Sequence, residues 1–174
     1  MITHLYFDWS GTLARSGSKA VLVSVCPQAK KLATLFPDTL GVLETLSRAG
    51  YKLGIISNTK ISATALWQVL RELGISQLFA AAVIFTDGSD VCKKPGAGVF
   101  ERALAIDSVQ SDQAVMIGND YEKDVLGARA AGLHAIFLDR DGVATDPHRI
   151  VTLTELLEER LIDIRHRESG HIAV

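Results

Sequence analysis

Five short apolar runs recur along the chain, at residues 4–7, 53–56, 81–85, 114–117 and 135–138, and polar or turn-forming residues close each one. Strands buried on both faces read as unbroken apolar runs and belong to parallel sheets. Between the runs, apolar positions recur at helical spacing instead. Leu40, Leu43 and Leu46 follow Pro37 and Asp38, with Gly50 suited to the C-terminal cap. Leu66, Val69, Leu70 and Leu73 share a face that ends at Gly74, and Val99, Phe100, Ala103 and Leu104 follow Pro95, a residue tolerated at the first helical position. Residues 121–131 predict another helix before Gly132, and 154–165 a last one. Residues 21–25 suggest a further short strand within a small flap at 14–36, and 167–174 read as a polar tail.

Strand and helix alternating at short spacing predicts the α/β class: a doubly wound, five-stranded parallel sheet with helices on both faces. With no internal repeat or linker, residues 1–174 are expected to form one domain. Composition narrows the partners. Apolar residues at 48%, charged residues at 22% and a net charge of −2 describe a globular chain and exclude a disordered one. The charge shows no basic stripe, so no nucleic-acid partner is expected. No apolar run approaches the ~20 residues that cross a bilayer, and the first residues lack a secretory pattern, so no membrane partner is expected. Cys26 and Cys92 make no disulfide framework, which fits a reduced, cytoplasmic setting.

Candidate chemistry gathers where the predicted strands end: Asp8, Ser57, Lys94, and the cluster Asn119, Asp120 and Asp124. In open α/β sheets, ligands sit at the carboxyl ends of the strands. An ionised carboxylate can attack phosphorus and form a covalent intermediate. The attacked group is anionic, so a cation with hydroxyl or amide donors must hold it. A hard divalent ion liganded by Asp8 and by Asp120 or Asp124 would let the two anions meet. Each residue also has a local role open to it. Ser57-Asn58 is turn chemistry, Pro95 makes Lys94 extended, Asn119 and Glu122 have N-cap spacing, and Asp124 suits a first helical turn.

Together these residues resemble the motifs of the haloacid dehalogenase superfamily, over roughly residues 3–138. Phe7-Asp8-Trp9-Ser10-Gly11-Thr12 resembles the first motif, Ile56-Ser57-Asn58 the second, Lys93-Lys94-Pro95 with Phe100 the third, and 116–124 the fourth. The resemblance implies a Rossmann-like fold with a minimal cap, and a magnesium-dependent hydrolase with a covalent Asp8 intermediate, a phosphatase first of all. It assigns Asp8, Ser10 and Lys94 to catalysis, and Gly11, Thr12, Ser57, Asn58 and Lys94 to phosphate binding. Mg2+ falls to Asp8, the Ser10 carbonyl, Asp124 and either Asn119 or Asp120. The intervals between motifs leave no room for a large cap. Capless members act on larger phosphate-bearing molecules or close the site with a neighbouring subunit, so a homo-oligomer is one expectation and a small phosphorylated substrate another.

Two positions depart from the pattern. Family phosphatases carry a second Asp two residues after the nucleophile, as general acid and base, where this chain has Ser10. A hydroxyl is no useful acid near neutral pH, and such help is worth ~10²–10⁴-fold. At the fourth motif, Asn119 in a ligand position would remove one charge. Two further readings follow: a binding or regulatory protein with little turnover, and a phosphonate-type hydrolase. A phosphorylated receiver domain is disfavoured, because its aspartate follows the third strand. Asp139-Arg140-Asp141-Gly142 imitates the first motif, but no second serine, Lys-Pro or acid cluster follows it; Asp139 and Asp141 read as turn residues.

Overall fold

The computed structural model describes residues 1–16, 33–59, 62–86, 92–144 and 149–158. The main sheet contains β1 (His4–Phe7), β4 (Lys52–Asn58), β5 (Val83–Thr86), β6 (Ala114–Gly118), β7 (His134–Leu138) and β8 (Arg149–Ile150), and the hairpin strands β2 (Ala14–Ser16) and β3 (Ala33–Leu35) lie between β1 and β4 in the chain. All six sheet strands run parallel in the order β5-β4-β1-β6-β7-β8. The chain builds outward from β1 to β5, then returns to the far side of β1. The carboxyl ends of β1 and β6 thus flank the switch point, where open α/β sheets bind ligands.

The expected doubly wound parallel sheet is present, with six strands in place of five. The added strand, β8, is two residues long, too short to leave an apolar run. The strand at 21–25 and the tail at 167–174 lie outside the described residues.

Side chains of the central strands alternate between two apolar layers. Leu5, Phe7, Leu53, Ile55, Val115 and Ile117 pack with α1 (Thr39–Arg48) and α2 (Ala63–Glu72). Tyr6, Ile56 and Met116 pack with α3 (Ala97–Asp107) and α4 (Gly127–Ala130) on the other face. Gly54 clears space for Tyr6: a Cβ there would stand 2.6 Å from the Tyr6 ring and 2.6 Å from the Ala82 carbonyl. The Tyr6 hydroxyl donates to Asp107 at 2.5 Å, and Asp107 also accepts the Ala82 amide at 2.9 Å. The one phenol buried in the sheet therefore has a partner.

Several local expectations need correction. Helix α3 starts at Ala97, so Pro95 lies two residues ahead of it and not at its first position. The segment expected as one helix at 121–131 begins as a π-helix over Tyr121–Leu126 and becomes α-helical only over Gly127–Ala130. Its N-cap is Asp120, whose carboxylate accepts the Lys123 amide at 3.0 Å, and not Asn119. The described part of the last expected helix is a 3-10 turn, Leu153–Leu157, with Thr152 and Glu155 as its capping box.

Asp139 is a turn residue, as its context implied. Its carbonyl accepts the Gly142 amide at 3.0 Å, and its carboxylate accepts the Ala144 amide at 2.6 Å and pairs with Arg149 at 3.3 Å. Its neighbour Arg140 is a clamp. The guanidinium donates to both Asp38 oxygens, at 3.0 and 3.1 Å, and to the Thr12 carbonyl at 2.9 Å, while lying 3.8 Å from the Phe36 ring centroid. Asp38 also accepts the Leu153 amide at 2.9 Å. Burial works to raise the Asp38 carboxyl, but the Arg140 and Leu153 hydrogen bonds outweigh it and hold the group below its ordinary 3.8. A carboxyl held low only in the folded state adds stability above its ordinary value, and loses it as pH falls through the folded one. Asp38→Asn should therefore lower the urea midpoint at neutral pH and make its decline between about pH 5 and pH 3 shallower. An acid limb identical to wild type would contradict this.

Candidate active site

Three of the expected residues converge on one contact. The Lys94 ammonium lies 2.7 Å from Asp8 Oδ1 and 2.6 Å from Asp124 Oδ1. All three are buried: 3% of Lys94, 8% of Asp8 and 1% of Asp124 remain exposed. Asp8 leaves the end of β1, its amide bonded to the Ile117 carbonyl of β6 at 2.9 Å. Asp124 comes from the π-helix after β6, and Lys94 from the loop before α3.

Small residues make the approach possible. A Cβ on Gly118 would stand 2.1 Å from Asp124 Oδ2, and one on Gly127 would stand 2.7 Å from the Pro95 carbonyl. Gly118 thus admits the Asp124 carboxylate beneath the strand, and Gly127 lets the helix meet the Lys94–Pro95 segment. The wide π turn is a feature that recurs at functional sites. Here it ends with Asp124 Oδ2 accepting the Asp120 amide at 2.9 Å.

The main chain of Lys94 is held from the other side. Asn58 Oδ1 accepts the Lys94 amide at 3.0 Å, and Asn58 Nδ2 donates to the Lys94 carbonyl at 2.8 Å. Thr86 Oγ1 donates to the same Asn58 oxygen at 2.9 Å. Asn58, expected among phosphate contacts, is therefore engaged in placing Lys94. Thr86 is a site residue that sequence reasoning missed, and its signal was a polar residue directly after the apolar run at 81–85.

Ser57 is buried at the carboxyl end of β4, beside β1, and its hydroxyl bonds none of the three central groups among the described residues. Thr12 Oγ1 donates to Asn119 Oδ1 at 3.0 Å. The Asn119 side chain lies over Gly11, whose positive φ of 88° and lack of Cβ let the loop turn beneath it. Ser10 is exposed beyond Asp8. Asp120 faces outward and pairs with Lys123. Burial acts to raise the Asp120 carboxyl, but the Lys123 hydrogen bonds hold it below its ordinary range.

Two carboxylates share one ammonium, which leaves one buried negative charge in excess. The Asp124 carboxyl is pushed up to about 6, mainly by burial; Lys94 opposes the rise and Asp8 adds to it. Oxygen donors with excess negative charge suit a hard divalent cation. Among the described residues no three Asp, Glu, His or Cys side chains gather, so main-chain and amide oxygens and water would complete such a shell. Asp8, Asp124, the Ser10 carbonyl and an oxygen of Asn119 or Asp120 are the candidate donors; the hydrogen bonds that Asp8 and Asp124 accept leave their oxygens a second lone pair for a cation.

The sequence model for haloacid dehalogenase-like hydrolases matches residues 19–138. The chain belongs to this family. The match begins after Asp8. A glyceraldehyde 3-phosphate phosphatase of Methanothermobacter thermautotrophicus is 36% identical over 61% of this chain and 45% of its own length. A ribulose-1,5-bisphosphate 5-phosphatase of Halopiger xanaduensis is 30% identical over 72% of this chain and 56% of its own. The chain thus spans about half the length of these relatives. Among solved structures, an uncharacterized protein of Listeria monocytogenes serotype 4b superposes with a TM-score of 0.77 at 25% identity, covering 92% of this chain and 98% of that one. A HAD phosphatase of Thermococcus onnurineus gives 0.63 at 32% identity, over 75% and 59%.

Lys94→Met would leave two buried carboxylates without their counter-charge, a loss worth ~3–5 kcal/mol. Asp124→Asn keeps a one-to-one pair and should lose less. Urea unfolding of the two variants gives the order; a Lys94→Met protein as stable as Asp124→Asn would refute this account of the charges.

Proposed function

We propose that this haloacid dehalogenase-like chain hydrolyses phosphate esters in two steps, through a covalent intermediate on Asp8. The observation that carries the reading is the buried contact of Lys94 with Asp8 and Asp124 at the switch point of the sheet. Relatives named as phosphatases support the reaction class. In the first step an Asp8 oxygen bonds to phosphorus, and the ester P–O bond breaks with its electron pair going to the leaving oxygen. Water then attacks the acyl phosphate, releasing inorganic phosphate and restoring the Asp8 carboxylate. Lys94 holds the nucleophile in place and offsets charge on the transferred group. Ser57 supplies the hydroxyl donor at the end of β4, the Thr12 hydroxyl holds Asn119 beside the site, and Asn58 fixes Lys94 from behind.

Magnesium, when bound by Asp8, the Ser10 carbonyl, Asp124 and either Asn119 or Asp120, would supply charge neutralisation for the meeting of two anions. Ser10 contributes no carboxylic acid, so the leaving oxygen takes its proton from water, and turnover is expected to be slow relative to a site with an acid. The second reading, a binding or regulatory protein, draws on that same Ser10. A homo-oligomer closing the capless site belongs to the reading as well.

Phosphate release separates these readings. Asp8→Asn should abolish it, and Ser10→Asp should raise kcat by up to ~10²-fold. Turnover persisting in Asp8→Asn would refute the covalent route. Wild-type inactivity across a panel of phosphate esters, with and without magnesium, would favour the binding protein.

A further inference from the structure

A cleft of about 610 Å³ borders two residues of the candidate active site, Gly11 and Asn119. Gly11 and Asn119, from the loops after β1 and β6, form part of its wall, together with Arg15, Phe36, Arg140 and Asp141. The size matches pockets for small molecules, ~300–1,000 Å³, and is small for a folded partner. Its charged groups differ in what already occupies them. Arg140 is bound by Asp38 and the Thr12 carbonyl, and Asp139 by Arg149 and the Ala144 amide. Arg15 is exposed, its guanidinium 5.1 Å from the Phe36 ring centroid, and among the described residues no carboxylate pairs with it. Asp141 is exposed on the same wall, so the cleft does not attract anions uniformly; its free positive charge is localised at Arg15.

The backbone fixes where that charge lies. Arg15 pairs with Thr34 in the β2–β3 hairpin. The preceding residue, Ala14, donates its amide to the Trp9 carbonyl at 3.0 Å and accepts the Gly11 amide at 2.8 Å. Arg15 is therefore one residue from the closed loop that begins at Asp8, and it stands in the same cleft as that loop's Gly11. A planar guanidinium resting on an aromatic ring gives up little freedom when it binds an anion.

We propose that the cleft receives the non-reacting end of a small phosphate ester, and that Arg15 binds a second anionic group on that end, a carboxylate or another phosphate. This inference rests on the reading of Asp8 as the phosphoryl-accepting group. It names the substrate class as small phosphate esters with two anionic ends.

The test is calorimetric titration of the full chain carrying Asp8→Asn, which prevents turnover. Three probes are used: glycerol 3-phosphate, with a neutral end; 3-phosphoglycerate, with a carboxylate; and propane-1,3-diol bisphosphate. The doubly anionic probes should bind about tenfold tighter than glycerol 3-phosphate, as expected for one charge-assisted contact. Adding Arg15→Gln should collapse that ratio to about twofold or less, and Arg15→Lys should retain most of it. Whichever anionic probe binds tighter identifies the recognised group. Equal affinities for all three probes, no binding of any, or a ratio indifferent to Arg15→Gln would overturn the inference. Phosphate release from glycerol 3-phosphate by the unmodified chain is measured in parallel. Turnover without selectivity sinks the role of Arg15 alone, whereas selectivity without turnover sinks the catalytic reading and keeps the cleft.

Discussion

A buried ammonium is tolerable only where its charge is answered at contact distance, and that of Lys94 is answered twice, by Asp8 and by Asp124. Much of the local architecture serves this contact. Asn58, steadied by Thr86, grips the lysine main chain from β4. Gly118 and Gly127 remove the atoms that would keep Asp124 and its helix away. The π turn delivers Asp124 beneath the strand end. Each of these features is costly or neutral considered alone, and each becomes intelligible once the lysine must be reached from three elements at once.

The second carboxylate makes the site more negative than a stable core would choose. A one-to-one pair would suffice to satisfy Lys94, and the surplus charge is visible in the raised Asp124 carboxyl. Sites that bind or transform charged ligands retain such imbalances against the interest of stability. The surplus fits the proposal that a cation is received beside Asp8. Under the proposed reaction it also shifts the attraction of an anionic substrate onto other groups, Lys94 and Arg15 among them, because the carboxylates repel one.

Much of the fold was legible in the chain. Unbroken apolar runs marked five of the six sheet strands, since a strand covered on both faces has no polar side to hide. β8 escaped because two residues cannot show a period. The π-helix escaped because its apolar spacing over so few residues is indistinguishable from that of an α-helix; its cause lies in where Asp124 must reach. Of the site, Asp8, Lys94 and Asp124 were readable as charged or polar residues placed after apolar runs. The grip of Asn58 on Lys94 was not, because a turn-forming Asn looks the same whether it faces a ligand or a neighbouring backbone. Arg140 was obscured by the acids on either side of it, which read as a turn and indeed form one. Its own contacts, to Asp38 and Thr12, come from distant parts of the chain.

The bond from the Asp8 amide to the Ile117 carbonyl carries a consequence for dynamics. It joins the Asp8 backbone, at the end of β1, to β6, and both strands are covered on both faces. Amides in such positions exchange with solvent deuterium only when the whole domain opens, not through local fraying. Asp8 is thus expected among the slowest-exchanging amides of the chain, while exposed Arg15 sits on the short strand β2 outside the main sheet. If the proposed roles hold, Arg15 can be exchanged for another residue without disturbing the strands that carry Asp8.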